Sequence, residues 1–470
     1  MPNICERGPS RTGAADGGEL FGIKPSSTPP SETVRVAAIG AGGRAVSNIE
    51  GLAGAGAKIV ALCDVDERRS ADMRKKFADV PFFKDYRMML DQMDKEIDAV
   101  MVGTPDHLHA AQAIECLKRG KHVQCEKPLG QSFEDVDRMV AAAKATNLVN
   151  QAMNQGHAYD TIRDFREWVE AGLIGDVTEA HIWCPAQYSF MDSLDEMAKS
   201  YDVPDGLDWN LWQGPVPHRP FFPKFVPGVW RFWTMYGSST IGDWSCHLMD
   251  PLFWTFGLRL PDAVTVTPCG CDWDPVMHGL TFPKGMKTVF EFRKRDGGPF
   301  KLFWYDGLAC ADVLVPDKYP LPGDAAARRY WFPPTMSAEV VTYKRDGMAN
   351  GALVYGTTGV IEYGHHGANY LRILPDMDKR ALAAAGTLPA EKYPRVPGGC
   401  PYKEFIAAMK GGPEVGSDFD YAGVMSQASS LAVAALFEPG KRIVWNHARR
   451  EFANSSVATA RLRQPRIENW

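Results

Sequence analysis

The sequence predicts an α/β protein in two parts. Residues 34–153 read as an N-terminal Rossmann domain, a doubly wound parallel sheet. Residues 154–470 read as an α+β domain built on a large open, mostly antiparallel sheet. Three observations predict this. A buried strand runs straight into a glycine turn and a helix at Val34–Ala45. Short apolar runs alternate with amphipathic stretches as far as Met153. Beyond that point strand-like segments follow one another without long helices between them.

The glycine turn fits G-x-G-x-x-A as Gly40, Gly42 and Ala45. Gly40 permits the tight turn, Gly42 lets the backbone approach a pyrophosphate, and Ala45 is small enough for close helix–strand packing. A second apolar run, Lys58–Cys63, ends in Asp64, 24 residues after Gly40, where a ribose-binding acid is expected. That acid favours NAD. Arg68 and Arg69, one helical turn later, keep NADP as the alternative. The alternation continues with a helix over Glu67–Phe77, a strand over Ile97–Val102, a helix over His107–Lys118 and a strand over Lys121–Cys125. A helix capped by Ser132, with Asp135 three residues on, runs to Thr146, and Leu148–Met153 closes the sheet.

His157–Ala171 then reads as a helix stopped by Gly172. Strand segments are expected at Val177–Trp183, Ala263–Thr267, Thr288–Phe292, Phe300–Tyr305, Ala352–Tyr355 and Val360–Tyr363. Helices are expected at Tyr402–Met409 and Tyr421–Phe437. Between Pro185 and Pro261 lies an insertion dense in Trp, Phe and Pro, which reads equally as plain core or as a sugar-stacking wall.

Composition narrows the function. At 470 residues with 45% hydrophobic and 23% charged residues, the chain is ordinary globular protein. Lys plus Arg number 52 against 57 Asp plus Glu, so no basic excess points to nucleic acid. No apolar run approaches the roughly 18 residues of a membrane span. The ten cysteines are scattered, and Cys269-Gly270-Cys271 has no C-x₂-C partner, so they read as buried free thiols in a reducing, cytoplasmic compartment. Residues 1–33 are polar and rich in Gly, Pro and Ser, and read as an extended or disordered arm. A periplasmic location stays open if the true start carries an export signal.

Two constellations carry chemistry. Glu126-Lys127-Pro128 follows a parallel strand at the carboxyl edge of the sheet, where doubly wound folds bind ligands. A lysine there can hold a hydroxyl or alkoxide, with Glu126 tuning its charge. In Gly242–Asp250, Asp243 and His247 share one helical face, so that the carboxylate can fix the imidazole of a general base. No third ligand at metal spacing accompanies them.

With those stretches in view, the chain resembles the Gfo/Idh/MocA oxidoreductase family, named for glucose–fructose oxidoreductase and inositol dehydrogenase. The resemblance rests on Ala38–Arg44, Thr104–His109, Glu126–Pro128, Gly242–His247 and Asp418–Gly423, while Trp209–Pro215 and Trp230-Arg231 resemble a bacterial subgroup with a long aromatic insertion. It implies NAD(P)-dependent hydride transfer to or from a hydroxyl of a sugar, sugar derivative or inositol, and a homodimer or homotetramer formed through the C-terminal sheet. It makes Lys127 the catalytic lysine and matches Asp243 and His247 to the D-x-x-x-H pair. It places Gly40, Gly42, Gly43, Arg44, Asp64, Thr104, Pro105, His109, Glu126 and Gln155 around the cofactor. His157, Tyr188, Arg231, Tyr236 and Trp244 become substrate-side candidates. The family also contains glycosidases that use bound NAD catalytically and dinucleotide-binding regulators without turnover. The first would need a proton-removing group, for which Tyr188, Tyr201, Tyr236 and His218 stand available; the second would need neither Lys127 nor the Asp243/His247 pair.

Overall fold

The computed structural model describes residues 32–186, 188–307, 350–374, 376–467 and 470. The arm expected over residues 1–33 falls, as far as residue 31, outside the described residues. The first sheet is six-stranded, in the order β3-β2-β1-β4-β5-β6. Its members are β1 (Arg35–Ile39), β2 (Lys58–Cys63), β3 (Phe82–Phe83), β4 (Ala99–Val102), β5 (His122–Cys125) and β6 (Asn150–Ala152). All pairs are parallel, with Ile39 beside Cys63 on one flank and Val102 on the other. Helices cover both faces, so β4 is buried at every position and reads as a continuous apolar run rather than an alternating one. The order reverses between β1 and β4, and the crevice that binds ligands in such sheets opens above their carboxyl ends.

Two expected helices are shorter than their patterns. The Glu67–Phe77 pattern yields a helix only over Ala71–Lys76. The Asp66 carboxylate accepts the Arg68 N–H, and its carbonyl takes the Ser70 N–H, which spends the first turn on a loop. His157–Ala171 breaks at Tyr159, extended at φ −75° and ψ 153°. A 3-10 turn, Gln155–Ala158, precedes the helix Asp160–Glu170.

The second sheet has ten strands, in the order β14-β13-β12-β11-β7-β10-β9-β8-β15-β16. They are β7 (Val177–Cys184), β8 (Ala263–Pro268), β9 (Met286–Arg293), β10 (Pro299–Asp306), β11 (Gly351–Gly356), β12 (Val360–Gly364), β13 (Asn369–Ile373), β14 (Met377–Asp378), β15 (Arg442–Asn446) and β16 (Glu451–Phe452). All pairs are antiparallel except β7 with β10, which run parallel from Glu179 beside Lys301 to Cys184 beside Asp306. The helix Phe419–Ala435 is buried on nearly every side because it packs between the helices Phe133–Lys144 and Ser239–Leu248. It joins the two sheets into one hydrophobic core.

The insertion makes its own core. Trp209, Trp212, Phe221, Phe222, Phe225, Trp230, Trp233 and Tyr236 are buried against one another. Two backbone hydrogen bonds seat it on the first sheet's crevice, Glu67 N–H to Gly206 O at 3.0 Å and Asp208 N–H to Val65 O at 2.9 Å, and together they make the antiparallel bridge between Asp66 and Leu207.

Candidate active site

One cavity of about 410 Å³ runs along the carboxyl ends of β1, β2, β4 and β5 and continues beneath the insertion to the helix Ser239–Leu248. Its first half is backbone. Gly40 has φ 91°, and a Cβ there would lie 2.8 Å from the Gly103 carbonyl oxygen; at Gly42 a Cβ would meet the Arg69 carbonyl at 2.9 Å. Gly43 caps the helix Arg44–Gly54 with no side-chain acceptor, and no acid stands in its first turn, so its leading N–H groups are left for an anion. Ala45 is fully buried, as close packing beneath Gly103 requires. This turn fits a dinucleotide pyrophosphate.

Asp64 stands on the cavity wall as expected, with its carboxylate partly committed. It accepts the Ala41 N–H at 2.8 Å and the Asp66 N–H at 2.9 Å, and so also braces the glycine turn. The two arginines separate. Arg68 turns back to Asp66 at 2.7 Å, while Arg69 lies in the cavity wall beside Gly43.

The second half is built from side chains of distant segments. Lys127 Nζ donates to the Asp243 carbonyl at 2.7 Å and to its Oδ1 at 2.5 Å. Asp243 also receives the Tyr188 hydroxyl at 2.7 Å and faces Arg231 Nε at 3.2 Å. Burial opposes its charge, but Lys127 and Arg231 beside it hold the carboxyl far below its ordinary value. Asp243 therefore fixes Lys127 rather than the His247 ring, which corrects the i,i+4 reading. His247 is buried, and its Nδ1 has no hydrogen-bond partner among the described residues. Its ring lies 4.0 Å, edge to face, from that of His366. Burial first, then His366 and Lys127, push its pKa well below 6.5, so the imidazole is neutral, with one basic ring nitrogen able to take a proton.

Glu126 does not tune the lysine ammonium either. Its Oε1 takes Asn48 Nδ2 at 2.8 Å and Arg44 Nε at 3.2 Å, tying the cavity floor to the first helix. Thr104, Pro105, Gln155, Arg231 and Trp244 line the cavity. His109 stands behind its wall: its ring nitrogens face the Pro128 carbonyl at 2.8 Å and the Thr104 carbonyl at 2.7 Å, joining the two loops that shape the cleft. His157 also leaves the site. It is buried on Asp250 at 2.9 Å and packs on Tyr421 and Trp254, because the break at Tyr159 turns it into the core. Tyr236 belongs to the aromatic core of the insertion, Tyr188 reaches the site only through Asp243, and neither Tyr201 nor His218 lines the cavity. The insertion is thus mostly core, with Trp212 and Trp230 presenting an edge to the cleft.

Sequence reasoning missed Asp106, His366 and Trp470, all on the cavity wall. Asp106 stood inside a quoted motif without a role. His366 had one signal, a His-His pair between glycines. That loop holds His365, Gly367, Ala368 and Tyr370 at φ between 51° and 60°, strain of a kind that persists where the surroundings over-determine it.

Comparison with known proteins agrees with this architecture. Residues 34–153 match the family model GFO_IDH_MocA, described as an oxidoreductase family with an NAD-binding Rossmann fold, and residues 159–268 match its C-terminal alpha/beta domain. Inositol 2-dehydrogenase 1 of Saccharopolyspora erythraea is 37% identical over 154 residues, 32% of this chain and 45% of that protein. Levoglucosan dehydrogenase of Pseudarthrobacter phenanthrenivorans is 30% identical over 190 residues, 40% of each chain. The chain thus spans less than half the length of these relatives. Among solved structures, a levoglucosan dehydrogenase in complex with NADH and levoglucosan superposes with a TM-score of 0.54 at 17% identity, covering 88% of this chain and 99% of that one. The WlbA dehydrogenase of Bordetella pertussis, in complex with NADH and UDP-GlcNAcA, gives a TM-score of 0.55 at 18% identity, with 88% and 99% covered. Among the described residues no helix is long and apolar enough to cross a membrane, and no cluster of His, Cys, Asp and Glu is arranged to hold a metal. The chain belongs to the Gfo/Idh/MocA oxidoreductase family, whose NAD-binding Rossmann fold forms its first sheet.

Proposed function

We propose that the chain is an NAD-dependent dehydrogenase acting on a hydroxyl of a sugar or cyclitol, with residues 34–153 holding the cofactor and contributing Lys127 to a substrate site built mainly from 154–470. One observation carries the reading. Lys127, anchored on Asp243, and the neutral His247 stand at one end of a cleft whose other end is the glycine turn. Bound NAD supplies the hydride acceptor. Lys127 spends two N–H groups on Asp243 and has one left to hold the reacting oxygen. His247 takes the hydroxyl proton as the C–H bond breaks, and positioning by Lys127 keeps that oxygen in line. Trp244 gives the substrate a ring to lie against.

A redox-assisted glycosidase needs a further group to remove the proton beside a transient ketone. Of the four candidates offered by the sequence, Tyr201, Tyr236 and His218 stand away from the cavity and Tyr188 is spent on Asp243, which favours the dehydrogenase. Assembly into a dimer or tetramer through the ten-stranded sheet, and residence in a reducing cytoplasm suited to the free thiols of the described residues, belong to the same reading. Sedimentation and cell fractionation check those two points. The activity is tested with free sugars, inositols and nitrophenyl glycosides in the presence of NAD. One NADH per substrate oxidised is expected. Many aglycones released per NAD, with no net NADH, would replace the dehydrogenase with the glycosidase.

A further inference from the structure

Two groups in the substrate half of the cleft have bonding capacity that the protein itself leaves unused. Asp106 opens the helix Asp106–Lys118 at only 4% exposure and faces the cavity. Its one hydrogen bond among the described residues comes from Ser238 Oγ at 3.3 Å, and no basic side chain reaches ion-pair distance. A carboxylate has about four acceptor sites, and a buried one without donors is costly. Burial, with the Asp243 charge adding to it, raises its pKa to about 7 against the opposing pull of Arg231 and Lys127. Arg231, on the 3-10 turn Val229–Phe232, is held by its neighbours rather than by a full set of acceptors. Its guanidinium lies 4.2 Å over the Trp230 ring, Nε faces Asp243 at 3.2 Å, and one terminal nitrogen reaches the Gly228 carbonyl at 3.3 Å. Its Cα packs where a Cβ on Gly237 would stand, at 2.5 Å, so its backbone is fixed. The remaining guanidinium N–H groups have no acceptor among the described residues.

We propose that Asp106 and Arg231 form a substrate-reading pair, distinct from the reacting groups, that binds adjacent uncharged hydroxyls and rejects sugars carrying a carboxylate or phosphate. One hydroxyl accepts from Arg231 and its neighbour donates to Asp106, which fills the unused capacity of both. Charge makes the selection. Above pH 7, where Asp106 is ionised despite its raised pKa, this half of the cleft holds Lys127 and Arg231 as cations and Asp243 and Asp106 as carboxylates, with His247 and His366 kept neutral by burial. The set balances with a neutral ligand. An added anion meets a carboxylate with no cation of its own, a repulsion strengthened by the low dielectric of the site.

The inference rests on the dehydrogenase reading, and one experiment separates the two. NADH formation is followed with D-glucose against D-glucuronate and glucose 6-phosphate, and with myo-inositol against its monophosphate. The neutral member of each set is expected to lead in kcat/KM by tenfold or more. Asp106→Asn, which leaves the cleft one positive charge in excess, should move the neutral-to-anionic ratio at least tenfold toward the anion. Arg231→Gln should move it the other way. The ratio cancels losses common to both substrates, and NADH binding by fluorescence confirms that each variant is folded. Turnover with the charged members ahead, or ratios unchanged in both folded variants, would overturn the proposal alone. Turnover of none of the set would overturn the dehydrogenase reading, and the proposal with it.

Discussion

The two halves of the cleft are made of different material. The cofactor half is backbone from one short run, Gly40–Ala45, at the end of a buried strand, with Asp64 arriving one strand later. The substrate half is side chains from five segments far apart in sequence: Asp106, Lys127, Arg231, Asp243 with His247, and His366. Backbone geometry written into consecutive residues needs little help from elsewhere. A cluster of side chains depends on every element that delivers them, and here also on the insertion and the ten-stranded sheet. Substitutions should therefore act differently in the two halves.

The largest expected effect lies in the side-chain half. Lys127→Ala and His247→Ala should each lower kcat by about 10²–10⁴, the range for a positioned acid or base, with NADH affinity close to wild type. Initial rates on the best substrate, beside NADH titration, check this; full turnover in both variants would break the comparison. Glycines give the next effect. Gly40→Ala puts a methyl 2.8 Å from the Gly103 carbonyl oxygen at φ 91°. That strain, about 1–3 kcal/mol, should weaken NADH binding by roughly ten- to a hundredfold at 1.4 kcal/mol per tenfold. Gly228 lines the substrate half at φ 74° with nothing within 4 Å of its missing Cβ. Gly228→Ala carries only the left-handed backbone cost, about 1–2 kcal/mol, and should leave NADH affinity alone. Isothermal titration of both variants compares them directly.

The same contrast explains what could be read from the sequence. The glycine turn, Asp64 and the strand–helix alternation were legible because each is a local pattern with its own physical meaning. Lys127, Asp243 and His247 were legible as residues but not as contacts. Spacing put Asp243 on His247's helical face, whereas its carboxylate turns to Lys127, Tyr188 and Arg231. A pattern along one helix cannot register a cation delivered from another domain. His157 and Tyr236 are aromatic or titratable residues beside a pocket in sequence, and both are core in space because local breaks and neighbouring rings turn them inward. His366 depends on a strained loop that periodicity does not encode.

Cofactor choice and pH sharpen the comparison further. Asp64 on the wall repels a 2′-phosphate, while Arg69 beside Gly43 attracts one. NAD should bind more tightly than NADP, and Asp64→Asn should narrow the gap while keeping one acceptor for the Ala41 N–H. Titration of the apo protein with both cofactors decides it. On the substrate side, the folded pKa of His247 lies below its unfolded value of 6.5. The base is therefore already deprotonated at pH 6.5 and is lost only as pH falls further. In the Asp106→Asn variant, which removes the other titrating group of this half, the acid limb of kcat/KM should sit below 6.5; a limb at or above 6.5 there would mean that His247 is not the group being titrated.

The smallest effect is the most discriminating. Ser132 accepts the Asp135 N–H at 3.2 Å to cap a helix of the first sheet, and Asp208 accepts the Leu211 N–H at 2.9 Å to cap the helix Trp209–Gln213 of the insertion. Removing either cap with alanine costs about 1 kcal/mol of stability. The two variants should therefore melt at similar temperatures. They should differ in function, because the Asp208 carboxylate caps the short helix whose Leu211 and Trp212 line the cleft, whereas Ser132 is not on the cavity wall. Asp208→Ala is expected to raise KM for substrate several-fold at unchanged kcat, and Ser132→Ala to leave both alone. Thermal melts paired with initial-rate kinetics give the answer. If both caps changed KM equally, the insertion would be one more stabilising layer. If only Asp208 does so, its helix holds part of the substrate wall in place.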